Sequence, residues 1–263
     1  MKEVLHSLGS DQIPGPDGWM VEFLLGLYDI IGGDILKVVE DSRSTGKIPT
    51  CFNSTFIALI PKVDNPTSLD EFRPISLCNC IYKVISKMIA QRIKIILSRH
   101  ISAEQFGFFE CRQIYDAIGV ARECLHSMKA HKIKGSAIKI DLSKAYDHVS
   151  WLYIHLLLTH LGFHIDFIRW VMSCISTVAF AVLINNSASP FYHAERGLRQ
   201  GCPLSPLLYL LVAEGLGTII QDAKGHGLFK GLTIASNLSL SHLLFVDDVL
   251  IFCSETHRDS QTL

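Results

Sequence analysis

Adjacent carboxylates are the first candidates for chemistry in this 263-residue chain. Asp247 and Asp248 interrupt an apolar run, with Leu243, Leu244, Phe245 and Val246 before them and Val249, Leu250, Ile251 and Phe252 after. Length and apolar character read as strand, two-residue tip and strand, the tip being the two aspartates. Carboxylates side by side among apolar neighbours repel each other and resist desolvation, and a cation relieves both costs. Asp is also an ordinary turn residue, so the pair alone is a weak signal. Tight hairpins favour Asn-Gly or Asp-Gly, which makes Asp248 an unexpected second tip residue. A third, distant carboxylate would turn the pair into a metal site, and Asp141 offers one. It ends an apolar strand at 136–141 and is followed by a turn. If that strand lies beside the 243–252 hairpin, three carboxylates meet at one end of a sheet. Oxygen ligands select hard ions, and magnesium keeps open positions for water and phosphate oxygens. Two such ions about 3.5–4 Å apart suit in-line phosphoryl transfer.

Other ligand chemistries are poorly supported. The eight cysteines contain no CxxC pair, and the twelve histidines no HExxH. The cysteines read as buried or free thiols of a reducing compartment. The net charge of −1 is uninformative, but its distribution is not. Residues 72–103 hold Arg73, Lys83, Lys87, Arg92, Lys94 and Arg99 and no acid. Residues 129–144 hold five lysines against Asp141. Such blocks suit an anionic partner or a solvated basic face equally well. Half of the composition is apolar, so the chain is expected to be globular. The longest apolar stretch, 204–220, contains Ser205, Pro206 and Glu214, which argues against a membrane span. The Met1-Lys2-Glu3 start has no apolar segment typical of a signal peptide.

The elements that must position these groups follow from periodicity. A turn-rich entry at 13–18 leads to a helix at 19–42 that Gly32-Gly33 should break. Residues 46–53 read as a loop and 56–60 as a buried strand ending at Pro61-Lys62. A polar loop at 64–70 leads into 72–76. A helix over 81–99 places Lys83, Lys87 and Lys94 within about 40° of one another and Ile85, Met88, Ile89, Ile93 and Ile96 opposite. Arg92 falls on the apolar side and needs a partner or must snorkel. Helices are expected at 115–130, 151–161, 165–176 and 205–222, a hairpin from 180–184 and 191–195 across 185–190, and a Gly/Pro-punctuated loop at 197–204. The order lacks regular βαβ alternation, which favours an α+β fold with an antiparallel sheet backed by helices.

Three collinear motifs carry a family resemblance. They are Lys-Ile-Asp-Leu-Ser-Lys-Ala-Tyr-Asp (139–147), Arg-Gly-Leu-Arg-Gln-Gly-Cys-Pro-Leu-Ser-Pro (196–206) and Phe-Val-Asp-Asp (245–248). With Pro-Gly-Pro-Asp-Gly (14–18), Leu-Ile-Pro-Lys (59–62), Phe-Arg-Pro-Ile-Ser-Leu-Cys-Asn (72–79), Tyr-Lys-Val-Ile-Ser-Lys (82–87) and Ser-His-Leu-Leu-Phe (241–245), the chain resembles the reverse transcriptase of LINE-type, non-LTR retrotransposons, plant type. The resemblance implies a right-hand polymerase, with fingers mainly from about 1–135 and a palm mainly from about 136–263. It implies catalytic, metal-binding roles for Asp141, Asp247 and Asp248, with the Leu142 carbonyl as a further ligand of two Mg²⁺ ions, for which Mn²⁺ can substitute. Tyr146 would be a steric gate against a 2′-hydroxyl, Gln200 a contact to the incoming nucleotide, and Arg73 and Lys62 its phosphate contacts. On spacing alone, core packing is the lesser alternative for Tyr146, an ordinary loop glutamine is the better reading of Gln200, and Lys62 reads equally as a solvated loop lysine. Lys83, Lys87 and Lys94 would face the template backbone; Arg112 is a template or structural contact.

The implied partners are an RNA template, a DNA primer and dNTPs, with no membrane, and the implied place of action is nuclear. The 263 residues hold neither a thumb nor an endonuclease region. Departures from the family pattern are Ile13, His148, Asn186, Cys202 (aspartate is usual) and Val246 (alanine is usual). The expected function is RNA-directed DNA synthesis by two-metal nucleotidyl transfer to a primer 3′-hydroxyl. The alternative is a truncated, catalytically silent remnant that at most binds nucleic acid, and a domesticated maturase-like RNA-binding protein ranks last.

Overall fold

The computed structural model describes residues 1–9, 13–108, 112–185, 187–228, 230–235 and 238–254. In chain order the elements are α1 (Lys2–His6), α2 (Val21–Gly26), α3 (Tyr28–Thr45), α4 (Thr50–Asn53), β1 (Ser54–Pro61), β2 (Phe72–Cys78), α5 (Cys80–His100), α6 (Ile114–Ala130) and β3 (Gly135–Asp141). There follow α7 (Trp151–His160), α8 (Ile165–Ser176), β4 (Ala179–Ile184), β5 (Ser187–Ala188), β6 (Tyr192–His193), α9 (Ser205–Gly225), β7 (Leu232–Ala235), β8 (Leu238–Leu240), β9 (His242–Phe245) and β10 (Asp248–Ser254). The fold is α+β, with sheets backed by helices. No described helix is long and apolar enough to cross a membrane. The chain divides into two compact units, each assembled from two segments: 1–95 with 146–208, and 96–145 with 209–263.

In the first unit β1 pairs antiparallel with β2 and parallel with β4, whose other edge takes β5 and β6. The parallel β1–β4 pairing lies outside the antiparallel sheet expected above; it joins Ser54 to Ala179, a contact no local pattern announces. The core holds Trp170, Tyr82, Ile85, Ile89, Ile154 and Ile168, all essentially inaccessible. The helix expected to break at Gly32-Gly33 breaks instead at Leu27 (φ −100°, ψ 7°). Gly32 stays helical, packed so close to the Tyr28 ring that a Cβ would lie 3.0 Å from it. Residues 50–53, expected as loop, form the single turn α4.

The Pro-Gly-Pro-Asp-Gly motif caps α5 from a distance. Asp17 Oδ2 accepts the Cys80 N–H at 3.0 Å, and Asn79 Oδ1 accepts the Asp17 N–H at 3.0 Å. A carboxylate beside free N–H groups at a helix start satisfies them and complements the helix dipole. Gly15 is required there, since a Cβ would fall 2.5 Å from the Asn79 nitrogen. Arg92 finds its partner as the apolar helix face demanded: its guanidinium lies over the Trp170 ring at 5.6 Å.

The second unit is built on the sheet β3-β10-β9, antiparallel throughout. Both faces are covered over β9 and β10, which explains the unbroken apolar run on either side of the aspartates. Val249, Ile251 and Cys253 pack with Leu244 and with Ile220 of α9. Phe252 and Leu243 pack with Cys124 of α6 and with Leu232. β3 forms one edge of this sheet and is exposed along most of its length. The β7–β8 pair has no counterpart in the expected elements. The described cysteines are all free thiols, six buried and Cys51 exposed. Asn186, one of the departures from the family pattern, lies outside the described residues.

Candidate active site

Strand register brings the carboxylates together. Asp248 opposes Asp141 on β3 and Phe245 on β9. The hairpin tip is therefore Val246-Asp247, one residue earlier than the apolar pattern suggests, and Asp248 is the first residue of β10. The shift follows from backbone geometry. A two-residue loop needs positive φ, and Val246 supplies it at +58°. Positive φ at the first loop residue alone matches a type II′ turn. Gln105 Oε1 accepts the Gly107 N–H at 2.9 Å and faces the Val246 N–H at 3.4 Å, bracing the tip. The three aspartates are exposed, not desolvated as expected, because sheet alternation sends the apolar side chains into the helical layers.

Directly opposed like charges destabilise a strand pair, and Lys139 supplies the counter-charge. Its Nζ lies 2.8 Å from Asp248 Oδ1. That hydrogen bond, with the charges of Asp248, Asp141 and Asp247, holds the lysine above its usual range. Lys139 thus senses all three carboxylates, and sequence reasoning passed over it. The available signal was its position two residues before Asp141, on the same face of a strand. Nearby, burial and then the Asp247 charge push the Tyr209 phenol up to about 12. The donor set is hard oxygen at one sheet end, as a divalent ion requires. Among the described residues, though, no three His, Cys, Asp or Glu side chains close into a ligand cage. Leu142, expected to add a carbonyl, packs its side chain on the Ile220–Val249 cluster.

Tyr146, Gln200, Arg73 and Lys62 belong to the first unit. The 197–201 loop is clamped from two sides. Leu198 N–H donates to the Tyr146 carbonyl and Gly197 N–H to the Val149 carbonyl, both at 2.8 Å. Trp151 Nε1 donates to the Gly197 carbonyl at 2.8 Å, and Ser76 N–H of β2 donates to the Gln200 carbonyl at 2.8 Å. Beside this loop lies a half-open cavity of about 160 Å³ lined by Pro74, Ser76, Asp147, Trp151, Arg196 and Gln200, among others. The structure therefore gathers Gln200 and the Tyr146 segment, and adds Asp147 and Arg196, which the sequence reading used only as motif letters. Arg73 is exposed on β2 and does not line the cavity. Lys62 donates to the Asp70 carbonyl at 2.8 Å, closing its own loop.

The basic edge of α5 is corrected at one position. Lys83 is only 6% exposed and donates to the Ile13 carbonyl at 2.9 Å, so it anchors the N-terminal segment instead of facing a template. Lys87 and Lys94 are partly exposed. Arg112 is a structural contact: it donates to the carbonyls of Ser102 and Gln105.

Residues 60–263 match the reverse transcriptase (RNA-dependent DNA polymerase) family. The chain belongs to that family. Its relatives include an uncharacterized 149 kDa protein of transposon TX1 from Xenopus laevis, 28% identical over 81% of this chain. Another is the retrovirus-related Pol polyprotein of the type-2 retrotransposable element R2DM from Drosophila melanogaster, 24% identical over 95% of it. This chain spans 16% and 22% of their lengths. A truncated apo telomerase from Candida tropicalis shares the fold, with a TM-score of 0.56 and 15% identity over 82% of this chain and 46% of the telomerase chain. The resemblance to LINE-type reverse transcriptases read from the motifs is borne out, as is the α+β polymerase fold it implied. Reverse transcriptases generally use divalent metal ions, which agrees with the acidic sheet end.

Proposed function

We propose that this chain is the RNA-directed DNA polymerase domain of a non-LTR retrotransposon, extending a DNA primer on an RNA template with dNTPs. The observation that carries the reading is the register pairing of Asp141 with Asp248 beside Asp247 in the hairpin loop. Asp141 and Asp247, with Asp248 and the Leu142 carbonyl, would hold two Mg²⁺ ions, or Mn²⁺ in their place. When bound, such ions lower the pKa of a coordinated hydroxyl and neutralise phosphate charge. The chain's own residues do the rest. Lys139 keeps the three carboxylates grouped. The clamped 197–201 loop presents Gln200 at a cavity with Asp147 and Arg196, so an incoming nucleotide meets a pre-formed wall. Tyr146 acts as the gate against a 2′-hydroxyl, and Arg73 and Lys62 attract the triphosphate. Lys87 and Lys94 meet template backbone without reading bases, as a polymerase of any sequence requires. Fingers from about 1–135, a palm from about 136–263, and nuclear action belong to the same reading.

Primer extension on an RNA template with Mg²⁺ or Mn²⁺ tests it. Asp247→Asn is expected to lower extension at least ~100-fold, since several kcal/mol of charge stabilisation depend on that carboxylate. Extension unchanged by the substitution would remove the assigned roles. Salt-sensitive RNA binding without extension by the wild type would instead identify a silent remnant.

A further inference from the structure

Arg199 and Gln200 are neighbours in the 197–201 loop with different surroundings. Both border the cavity, but Gln200 is partly exposed and Arg199 only 5% exposed, within one compact unit. The Arg199 side chain reaches three elements. Its Nη1 donates to Thr55 Oγ1 of β1 at 3.0 Å, and its Nη2 donates to the Cys174 carbonyl of α8 at 2.6 Å. Its guanidinium lies over the Tyr82 ring of α5 at 3.7 Å. Thr55 and Tyr82 are themselves inaccessible, so the seat is fixed by packing as well as by hydrogen bonds.

Among the described residues, Arg199 forms no ion pair with a carboxylate. A buried guanidinium must be compensated for the water it loses, and here partial charges do so. Cys174 carries one of the last four carbonyls of α8, which ends at Ser176 and leaves them without partners inside the helix. That end of a helix carries roughly half a negative charge, and the last turn of α8 has no basic residue of its own. Arg199 supplies the missing cation from the loop. The negative face of the Tyr82 ring adds a cation–π contact.

We infer that Arg199 is the positioning residue of Gln200: its three-point anchor to β1, α5 and α8 sets where the Gln200 side chain meets a ligand of the cavity. The main chain holds the other side, since the Ser76 N–H of β2 donates to the Gln200 carbonyl at 2.8 Å. Gly197 and Gly201 flank the segment, both at positive φ. Glycines leave a backbone free to move unless neighbouring side chains fix it. A planar fork that bonds two acceptors while stacking on a ring fixes position and direction together, which a lysine ammonium cannot do. The guanidinium is engaged inside the chain, so Arg199 acts through Gln200 and not on a substrate. The anchoring stands on these contacts alone; its consequence for an incoming nucleotide rests on the polymerase reading.

The full chain is compared with Arg199→Met, which keeps an apolar stem and removes the donors, with Arg199→Lys, and with Thr55→Val, which removes one acceptor. Hydrogen exchange reads the anchor without activity. The loop-bound amides of Gly197, Leu198 and Ser76 should exchange at least ~10-fold faster in Arg199→Met, and nearly as fast in Arg199→Lys. Amides paired within the β1–β2 ladder of the same unit should change by less than about threefold. In primer extension, Arg199→Met should raise KM for dNTP about tenfold and change kcat less than about twofold, the pattern of a lost binding contact. In a Gln200→Ala background it should raise KM no further. Thr55→Val should shift both readouts the same way by a smaller factor, and it decides if Arg199→Met fails to fold. Unchanged loop exchange overturns the assignment, and so does equal acceleration across the whole unit, the mark of a structural role only. Losses from Arg199→Met and Gln200→Ala that multiply in an active chain overturn it as well. If the wild type extends no primer, the proposed function fails and the exchange comparison alone decides the role of Arg199.

Discussion

Val246 carries the backbone strain of the aspartate hairpin. A β-branched residue in the left-handed region costs about 1–2 kcal/mol, yet Val246 sits at φ +58°. Its position is defined by what lies beneath. A Cβ on Gly107 would fall 2.7 Å from Val246 Cγ2 and 3.1 Å from the Val246 nitrogen. Gly107 is therefore the seat on which the tip rests, and the family departure to valine fills space that a smaller residue would leave. Gly107→Ala should destabilise by roughly 1–3 kcal/mol through overpacking. Val246→Ala in the same chain should restore part of that loss, a coupling of at least ~0.5 kcal/mol. Thermal melts of the two single variants and the double variant measure it. Strictly additive losses would show that residue 107 does not support the tip.

At the scale of elements, the Gly197–Gly201 loop is where backbone conformation and site geometry coincide. Gly197 has φ +92°, and a Cβ there would lie 3.0 Å from the Asp147 carbonyl oxygen. Gly201 has φ +95°, with a Cβ 3.2 Å from the Ser76 carbonyl oxygen. Gly197→Ala is expected to cost roughly 1–3 kcal/mol and, on the polymerase reading, to raise KM for dNTP as the wall bearing Gln200 shifts. Steady-state kinetics with an unchanged KM would dissociate this loop from nucleotide binding. Much of this was legible. The Gly-rich spacing announced the loop, and the apolar runs announced β3, β9 and β10 and hence the meeting of Asp141 with Asp248. Position within the hairpin was not, because Asp248 forms strand pairs on both sides and displaces the turn to Val246. Nor was the helix break at Leu27, since Gly32 is held in α3 by its packing on Tyr28. Propensity yields to tertiary contact at such places.

For the whole molecule, the motifs that gave the family also marked both compact units, but not how segments far apart in sequence assemble each one. The β1–β4 pairing and the Arg199 cluster join residues more than a hundred positions apart, beyond any periodicity argument. Charge reading failed in the same way: helical spacing groups Lys83 with Lys87 and Lys94, but only tertiary structure reveals that Lys83 is consumed by the Ile13 carbonyl. Salt dependence separates these roles. Each phosphate contact to a single strand contributes a slope of about 0.7 in log K against log salt. Lys87→Gln with Lys94→Gln should therefore flatten the slope for RNA binding by about 1.4 and leave the melting temperature nearly unchanged. Lys83→Met should do the reverse. It removes the charged hydrogen bond that ties the Ile13 carbonyl to α5, at a cost of roughly 1.5–3 kcal/mol, lowering Tm by several degrees without altering the slope. Equal slopes for all variants would move the template path away from α5, and a flattened slope for Lys83→Met would return Lys83 to it.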